Sequence, residues 1–228
     1  MATRGSGPLT SLVAITQTGP REPWTTVGFD FVVGDDGDGI IAFANGVVRI
    51  TPGEPSLGGL VVTHPGGAEL IDLDGIGVTV IDQADQLTMA TLGHHPNGAI
   101  ELDHLVITTD SLERTSETIT AQLDLPLKRV RETSSVRQGF HRFAPVGDHR
   151  GCIIEVVETP GVDHASLMGW VATVASPDDL HRLADDLGPD LVSPPKPAVQ
   201  SGRLIATVRP DAGLGVPVAL MTPEPGRC

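Results

Sequence analysis

With 228 residues the chain has material for one large or two small domains and for a sizeable core. Its net charge of −14 opposes phosphate backbones and anionic membrane surfaces, so nucleic acid and membrane are not expected partners. Two cysteines, Cys152 and Cys228, make no disulfide framework; MATRGSGPLT lacks a signal-peptide apolar region, and no run approaches about 18 apolar residues, so a soluble cytoplasmic protein is expected.

Residues 1–95 carry short β-type runs: Leu12–Thr16, Phe29–Val33, Ile40–Phe43, Val47–Thr51, Leu60–Thr63 and Gly77–Ile81. Gly, Asp and Pro turns separate them. No helix is expected here, and Pro20 to Pro23 is a helix-hostile stretch. Gly34 to Gly39 reads as a hairpin turn and not a calcium loop, because the bidentate Glu and ligand spacing of an EF-hand are missing. The segment Leu92–Ala99, with its Pro96-Asn97-Gly98 turn signal, is the expected boundary. Within it, His94-His95 reads as an exposed loop pair.

After residue 100 the pattern becomes regular. Leu102–Thr109 reads as a strand, and Asp110–Leu123 as a helix with Asp110 as N-cap and Glu113 three residues on. Strands follow at Lys128–Glu132, Val136–Phe143 and Cys152–Glu158. Then the order repeats. Gly169–Ala175 is a strand, Ser176 caps a helix with Pro177 at its first position, and the helix stops near Gly188. Proline-rich Ser193–Val199 replaces a clean second strand, and Arg203–Arg209 and Val216–Met221 close the set. Asp110 and Ser176 lie 66 positions apart (176 − 110). A repeat of this length implies two like modules packed as a pair, since neither sheet could cover both faces alone. The expected organisation is a β-rich N-terminal domain over 1–95 and a second domain over 100–228, with modules 100–160 and 165–223.

The doubled β-α-β-β-β order, the opening Leu102-Asp103-His104-Leu105-Val106, the Arg137-Gln138-Gly139-Phe140 strand and the Ile154-Glu155-Val156-Val157-Glu158 strand resemble the glyoxalase-like, vicinal oxygen chelate superfamily. The resemblance spans residues 100–223; over 1–95 it is weaker, where the strands could form a worn pair of modules without helices. It implies an α+β fold in which each module curls its sheet into half of a cup. It also implies a divalent metal as the cofactor, held by a His near the start of the first strand and a Glu on the fourth, one pair from each of two modules. His104 and Glu155 fall on those positions and are the implied metal ligands and catalytic residues. In the second module Trp170 and Ala219 fall there instead, and neither binds a metal, so His104 and Glu155 are a residual ligand set, a metal-free polar pair inside the cup, or unrelated residues.

Other residues could meet a ligand. His141 faces the cup together with Gly139, or else Phe140 and Arg142 do; alternation alone does not choose, and an exposed strand histidine is the reading preferred. Arg129, Arg131, Arg137 and Arg142 form a basic cluster in an acidic chain. They either hold an anionic substrate such as a carboxylate or phosphonate, or are solvated strand faces; the latter is preferred for Arg129 and Arg131, and Arg137 is chosen as the cup residue. Trp170 is expected as a large apolar wall of the cup. His149, His164 and His181 have no supporting donors nearby in sequence, and Cys152 reads as a buried small residue. The functional expectation is a small-molecule-binding cup, either a metal-assisted isomerase, lyase or dioxygenase or a non-catalytic protein that sequesters its ligand. A monomer and a homodimer are both compatible with the sequence.

Overall fold

A computed structural model describes residues 9–34, 37–67, 69–82 and 95–226. His94, Cys228, Asp35, Asp36 and the start of the proposed boundary segment lie outside these residues. The chain builds two mixed sheets.

The first sheet takes β1 (Ser11–Thr18), β2 (Val32–Val33), β3 (Gly39–Phe43), β4 (Gly46–Thr51), β5 (Ser56–Thr63), β6 (Glu69–Leu73) and β7 (Ile76–Ile81) in the order β2-β3-β4-β1-β5-β7-β6. β1 runs parallel to β4 and β5 parallel to β7, while β1 and β5 meet antiparallel at the centre. Among the described residues, a β-α-β-β-β set therefore precedes a second set of three strands without a helix. A short helix, α1 (Glu22–Thr26), occupies the stretch expected to refuse one. Pro23 lies in its first turn, where a missing N–H costs nothing, and the turn delivers Trp24 into the core.

The second sheet takes β8 (Ala99–Thr109), β9 (Arg129–Glu132), β10 (Arg137–Arg142), β11 (Ile153–Glu158), β12 (Ser166–Val174), β13 (Lys196–Pro197), β14 (Leu204–Thr207) and β15 (Val218–Met221) in the order β13-β14-β15-β12-β8-β11-β10-β9. β8 pairs parallel with β11, β12 pairs parallel with β15, and β8 and β12 pair antiparallel at the centre. The order reads the same from the centre to either edge, so the two modules are related by a pseudo-two-fold axis. Helix α2 (Leu112–Leu123) is capped by Ser111, whose Oγ accepts from Arg114 N at 3.3 Å; Asp110, the expected cap, binds the Arg114 side chain instead. Helix α3 (Pro177–Leu187) starts at Ser176, as its sequence implies.

One core cluster joins the sheets. Trp24 of α1 stacks on Trp170 of β12 with centroids 5.7 Å apart and planes 10° from parallel, and Phe29 and Phe43 meet Trp170 edge-on. Each such aromatic pair contributes about 0.5–1.5 kcal/mol beyond its buried area. The central strands thus press one face against the first sheet, while α2 and α3 cover its flanks. The other face curls into an open cup.

Candidate functional site: a half-polar cup

The site begins with a bulge. Along β8 the pairing with β12 steps from Val171↔His104 to Ala172↔Leu102, leaving Asp103 as an extra residue. Leu102 and Leu105 both enter the core although they are three apart, which strict alternation forbids; the bulge resets the phase and turns Asp103 and His104 together away from the core.

Asp103 Oδ1 lies 2.7 Å from His104 Nδ1. A carboxylate can only accept, so Nδ1 carries the proton, and in the neutral ring Nε2 is an open base. Nε2 faces Glu155 Oε2 on β11 at 3.6 Å, beyond hydrogen-bond range. Glu155 Oε1 accepts from Gln138 Nε2 of β10 at 2.5 Å, and Gln138 Oε1 accepts from Arg131 Nη1 of β9 at 3.1 Å. Arginine can only donate, which fixes the orientation of the amide. On the other side Asp103 Oδ2 accepts from Arg203 Nη2 at 2.6 Å and from Thr173 Oγ1 at 3.2 Å; Arg203 is in turn held by Thr222 O at 2.6 Å. Burial alone would raise the Asp103 carboxyl, but the hydrogen bond and charge of His104 and the guanidinium of Arg203 outweigh it and hold the group well below the usual carboxylate range.

The cup encloses a cavity of about 970 Å³ lined by His104, Val106, Gln138, Phe140 and Glu155 from the first module and by Met221 and its neighbours from the second. A smaller space of about 260 Å³, bounded by His104, Glu155, Arg142 and Arg203, continues it inward. The structure therefore brings His104 and Glu155 together in the cup.

It does not turn the other expected side chains into the main cavity, although His141 borders the smaller space. Arg137 points to the opposite face, where it binds Glu113 of α2, Glu158 and Glu132. Its register partner is Glu158, so the odd positions of β10 meet the helix and the even ones meet the cup. His141 follows the same parity. It is 1% exposed rather than solvated, and its Nδ1 donates to Leu125 O at 2.8 Å beneath α2. The residues of β10 and β9 that do face the cup are Gln138, Phe140 and Arg142, and Arg129 and Arg131. Trp170, 1% exposed, is core and no wall of the cup; Val171, Ala219 and Met221 form that wall with Ala198 and Ile205. His95 is buried rather than exposed, its Nε2 bonded to Ala42 O and its Nδ1 to Asp30 N. His149 pairs with Glu101 at 2.5 Å. Cys152 is buried, and burial pushes its thiol far up. Sequence reasoning missed Asp103 and Arg203 as partners of His104. The Asp103-His104 dipeptide was the available signal, whereas Arg203 is 100 residues from Asp103 and gave none.

The donor set does not fit the implied metal. The helix caps Ser111 and Ser176 lie 65 apart (176 − 111), which carries His104 onto Gly169 and the Val106 that pairs with Glu155 onto the Val171 that pairs with Ala219. Neither Gly169 nor Ala219 offers a donor, and catalytic sites usually supply about three protein ligands. Among the described residues, no group of three or more His, Cys, Asp or Glu side chains converges as a metal cluster.

No family model and no curated protein matches the sequence. Among solved structures, a variant of 4-hydroxymandelate synthase from Streptomyces coelicolor aligns over 97% of this chain and 94% of its own, at 14% identity and a TM-score of 0.64. Methylmalonyl-CoA epimerase from Streptomyces coelicolor, in complex with 2-nitronate-propionyl-CoA, aligns over 56% of this chain and 96% of its own at 18% identity and a TM-score of 0.46. The epimerase from Mycobacterium tuberculosis aligns over 56% and 91% at 15% identity and the same score of 0.46. The first of these matches spans both sheets and carries the assignment; identity this low speaks for architecture alone. The chain has the glyoxalase-like, vicinal oxygen chelate fold, with a worn pair of modules as its first half.

Proposed function

We propose that the cup binds a small molecule and that His104, oriented by Asp103 and opposed by Glu155, moves a proton on it, as an isomerase or lyase would. The observation that carries this reading is the Asp103–His104···Glu155 array: one carboxylate fixes the tautomer, and a base and a second carboxylate face each other at 3.6 Å inside the cavity. A carbon acid placed there would give its proton to His104 Nε2, and its electron pair would move onto an adjacent carbonyl oxygen among the cup's guanidinium groups. Return of that proton from His104 Nε2 to another position or face of the substrate completes an isomerisation. No step needs a metal.

The test uses pyruvate and 2-oxobutyrate in D₂O, with hydrogen exchange beside the carbonyl followed by NMR. The wild-type protein should accelerate exchange, and His104→Gln should abolish the acceleration. A second reading, a cup that sequesters its ligand without changing a bond, is favoured by the missing donors at Gly169 and Ala219. Exchange no faster than in buffer would give that reading the place, and acceleration surviving in His104→Gln would take the proton transfer away from His104.

A further inference from the structure

Five cations of the cup stand apart from Arg203, which also lines the inner space but holds Asp103. Lys128, Arg129 and Arg142 line the inner space, and Arg131 and Lys196 the cavity above it. Both lysines of a chain with net charge −14 are among them. Outside the cup, Arg49, Arg114, Arg137, Arg150 and Arg182 each hold a carboxylate. Inside it, none of these five cations has a carboxylate partner among the described residues. Arg129 lies over the Phe140 ring at 4.6 Å, Arg131 binds the Gln138 amide, and Arg142 binds Gly151 O. The carboxylates of these two spaces are engaged elsewhere: Glu155 with Gln138, Glu224 with Arg150. A concave surface with unpaired positive charge concentrates anions even on an acidic protein.

The opposite wall is apolar. Val171, Ala219 and Met221 form a buried cluster with Ala198 and Ile205, and above it Val199 and Met168 stand 73% and 43% exposed on the rim. Large apolar side chains left open beside a cavity are characteristic of a surface that a ligand covers.

We infer that the ligand is an amphiphilic organic anion: a carboxylate-type headgroup held by Arg129, Arg131 and Lys196, with an apolar body laid along the second module's wall. A bare inorganic anion would leave that wall wet, and a neutral or cationic amphiphile would leave the guanidinium groups without a counter-charge. This rests on the reading of the cup as a small-molecule site and is independent of the proton transfer proposed there.

Isothermal titration with octanoate, octylammonium, 1-octanol and acetate tests it. Octanoate should bind, octylammonium should not, and octanol and acetate should each bind about tenfold or more weakly than octanoate. Octanoate affinity should fall as ionic strength rises. The rim double variant Arg129→Gln/Arg131→Gln, at partly or fully exposed positions, should lose about tenfold for octanoate and nothing for octanol. Octylammonium matching octanoate, acetate matching octanoate, no octanoate binding by the folded wild type, or a rim variant with unchanged affinity would each overturn the inference. The two readouts separate the proposals: octanoate binding by a wild-type protein that does not accelerate hydrogen exchange would leave this inference standing and remove the proton transfer.

Discussion

The first and second modules of the larger sheet can be laid on each other from their ladders. Glu155 pairs with Val106 on one side and Phe140 on the other; Ala219 pairs with Val171 and Thr207 in the same way. Two residues further along, Val157 pairs with Gln138 and Met221 with Ile205. So where the first module carries His104, Gln138 and Glu155, the second carries Gly169, Ile205 and Ala219. At Gly169 no side chain fits, since a Cβ there would sit 2.4 Å from Pro217 O. One topology has been kept twice, with its polar positions retained in one copy and emptied in the other. A duplicated scaffold permits this, because backbone pairing and the core-facing residues hold the sheet while the cup-facing residues are free to differ. The polar groups that the second module sends to Asp103 are Arg203 and, beside it, Thr173, while its Lys196 and Gln200 line the cup.

That crossing offers the largest test of the comparison. The Arg203 side chain is 4% exposed and that of Asp103 11%. Arg203→Met keeps the volume of the stem and leaves a buried carboxylate with His104 and the Thr173 hydroxyl but no guanidinium. Breaking one side of such a pair should cost about 3–5 kcal/mol of unfolding free energy, because the remaining charge has been desolvated without compensation. Urea denaturation of the two proteins measures it. A loss below about 1 kcal/mol, the range of exposed ion pairs, would show that the modules are chemically independent.

The division between modules was only partly legible in the sequence. The strand order and both helices of residues 100–223 were readable because Ser, Pro and Gly punctuate them at matching offsets. The strands of the first half were readable from their apolar runs, apart from β6 (Glu69–Leu73), whose burial alternates and whose charged residues mask it. Helix α1 was not readable, because Pro23 signals a break in a helix interior but a start in a first turn. The faces were the main failure. Arg137, expected in the cup, lies on the helix face, while Arg129 and Arg131, expected as solvated strand faces, keep solvent exposure but line the cup, because one residue of register exchanges every side chain between faces. The same slip placed Trp170 in the cup, since bulges near Met168 and Asp103 shift the phase of both central strands. No local pattern encodes a bulge, and none encodes the contact of Arg203 with Asp103.

The asymmetry can also be reduced by substitution. Val171 lies directly across the ladder from His104, on the cup-facing wall. Residues directly opposite on antiparallel strands have Cβ atoms about 4.5–5.5 Å apart, so Val171→His would set a second imidazole beside His104 and within reach of the Glu155 side. Two histidines and a glutamate make a donor set that zinc and cobalt accept. The variant should bind one Co²⁺ in titration, with the d–d absorption of a nitrogen- and oxygen-ligated ion. The wild-type protein should show neither signal. Equal Co²⁺ binding by both proteins would mean that the second module already supplies a donor and that the cup is less divided than its residues indicate.

The smallest effect concerns the back of the sheet. His141, bonded through Nδ1 to Leu125 O, is buried with its Nε2 unpartnered, and burial lowers its pKa from the ordinary 6.5 despite that backbone bond. Its counterpart in the second module is Val208, since His141 follows Phe140, the partner of Glu155, as Val208 follows Thr207, the partner of Ala219, and valine does not titrate. A depressed folded-state pKa means that the unfolded chain takes up a proton first. The stabilisation is therefore complete above 6.5 and is lost as pH falls from there through the lowered folded-state value. His95 in the first sheet is shifted the same way, by burial chiefly, and adds to the same window. Asp103, held low, contributes its own loss only below the ordinary 3.8, so the two windows do not overlap. Thermal unfolding of the wild type should thus weaken from neutral pH toward pH 5, a fall measured in fractions of the effect of Arg203→Met. His141→Val, which copies the second module, should flatten part of that slope, and the part that remains should belong to His95. A slope unchanged in His141→Val would place the acid sensitivity elsewhere and leave the two modules equivalent on their buried face.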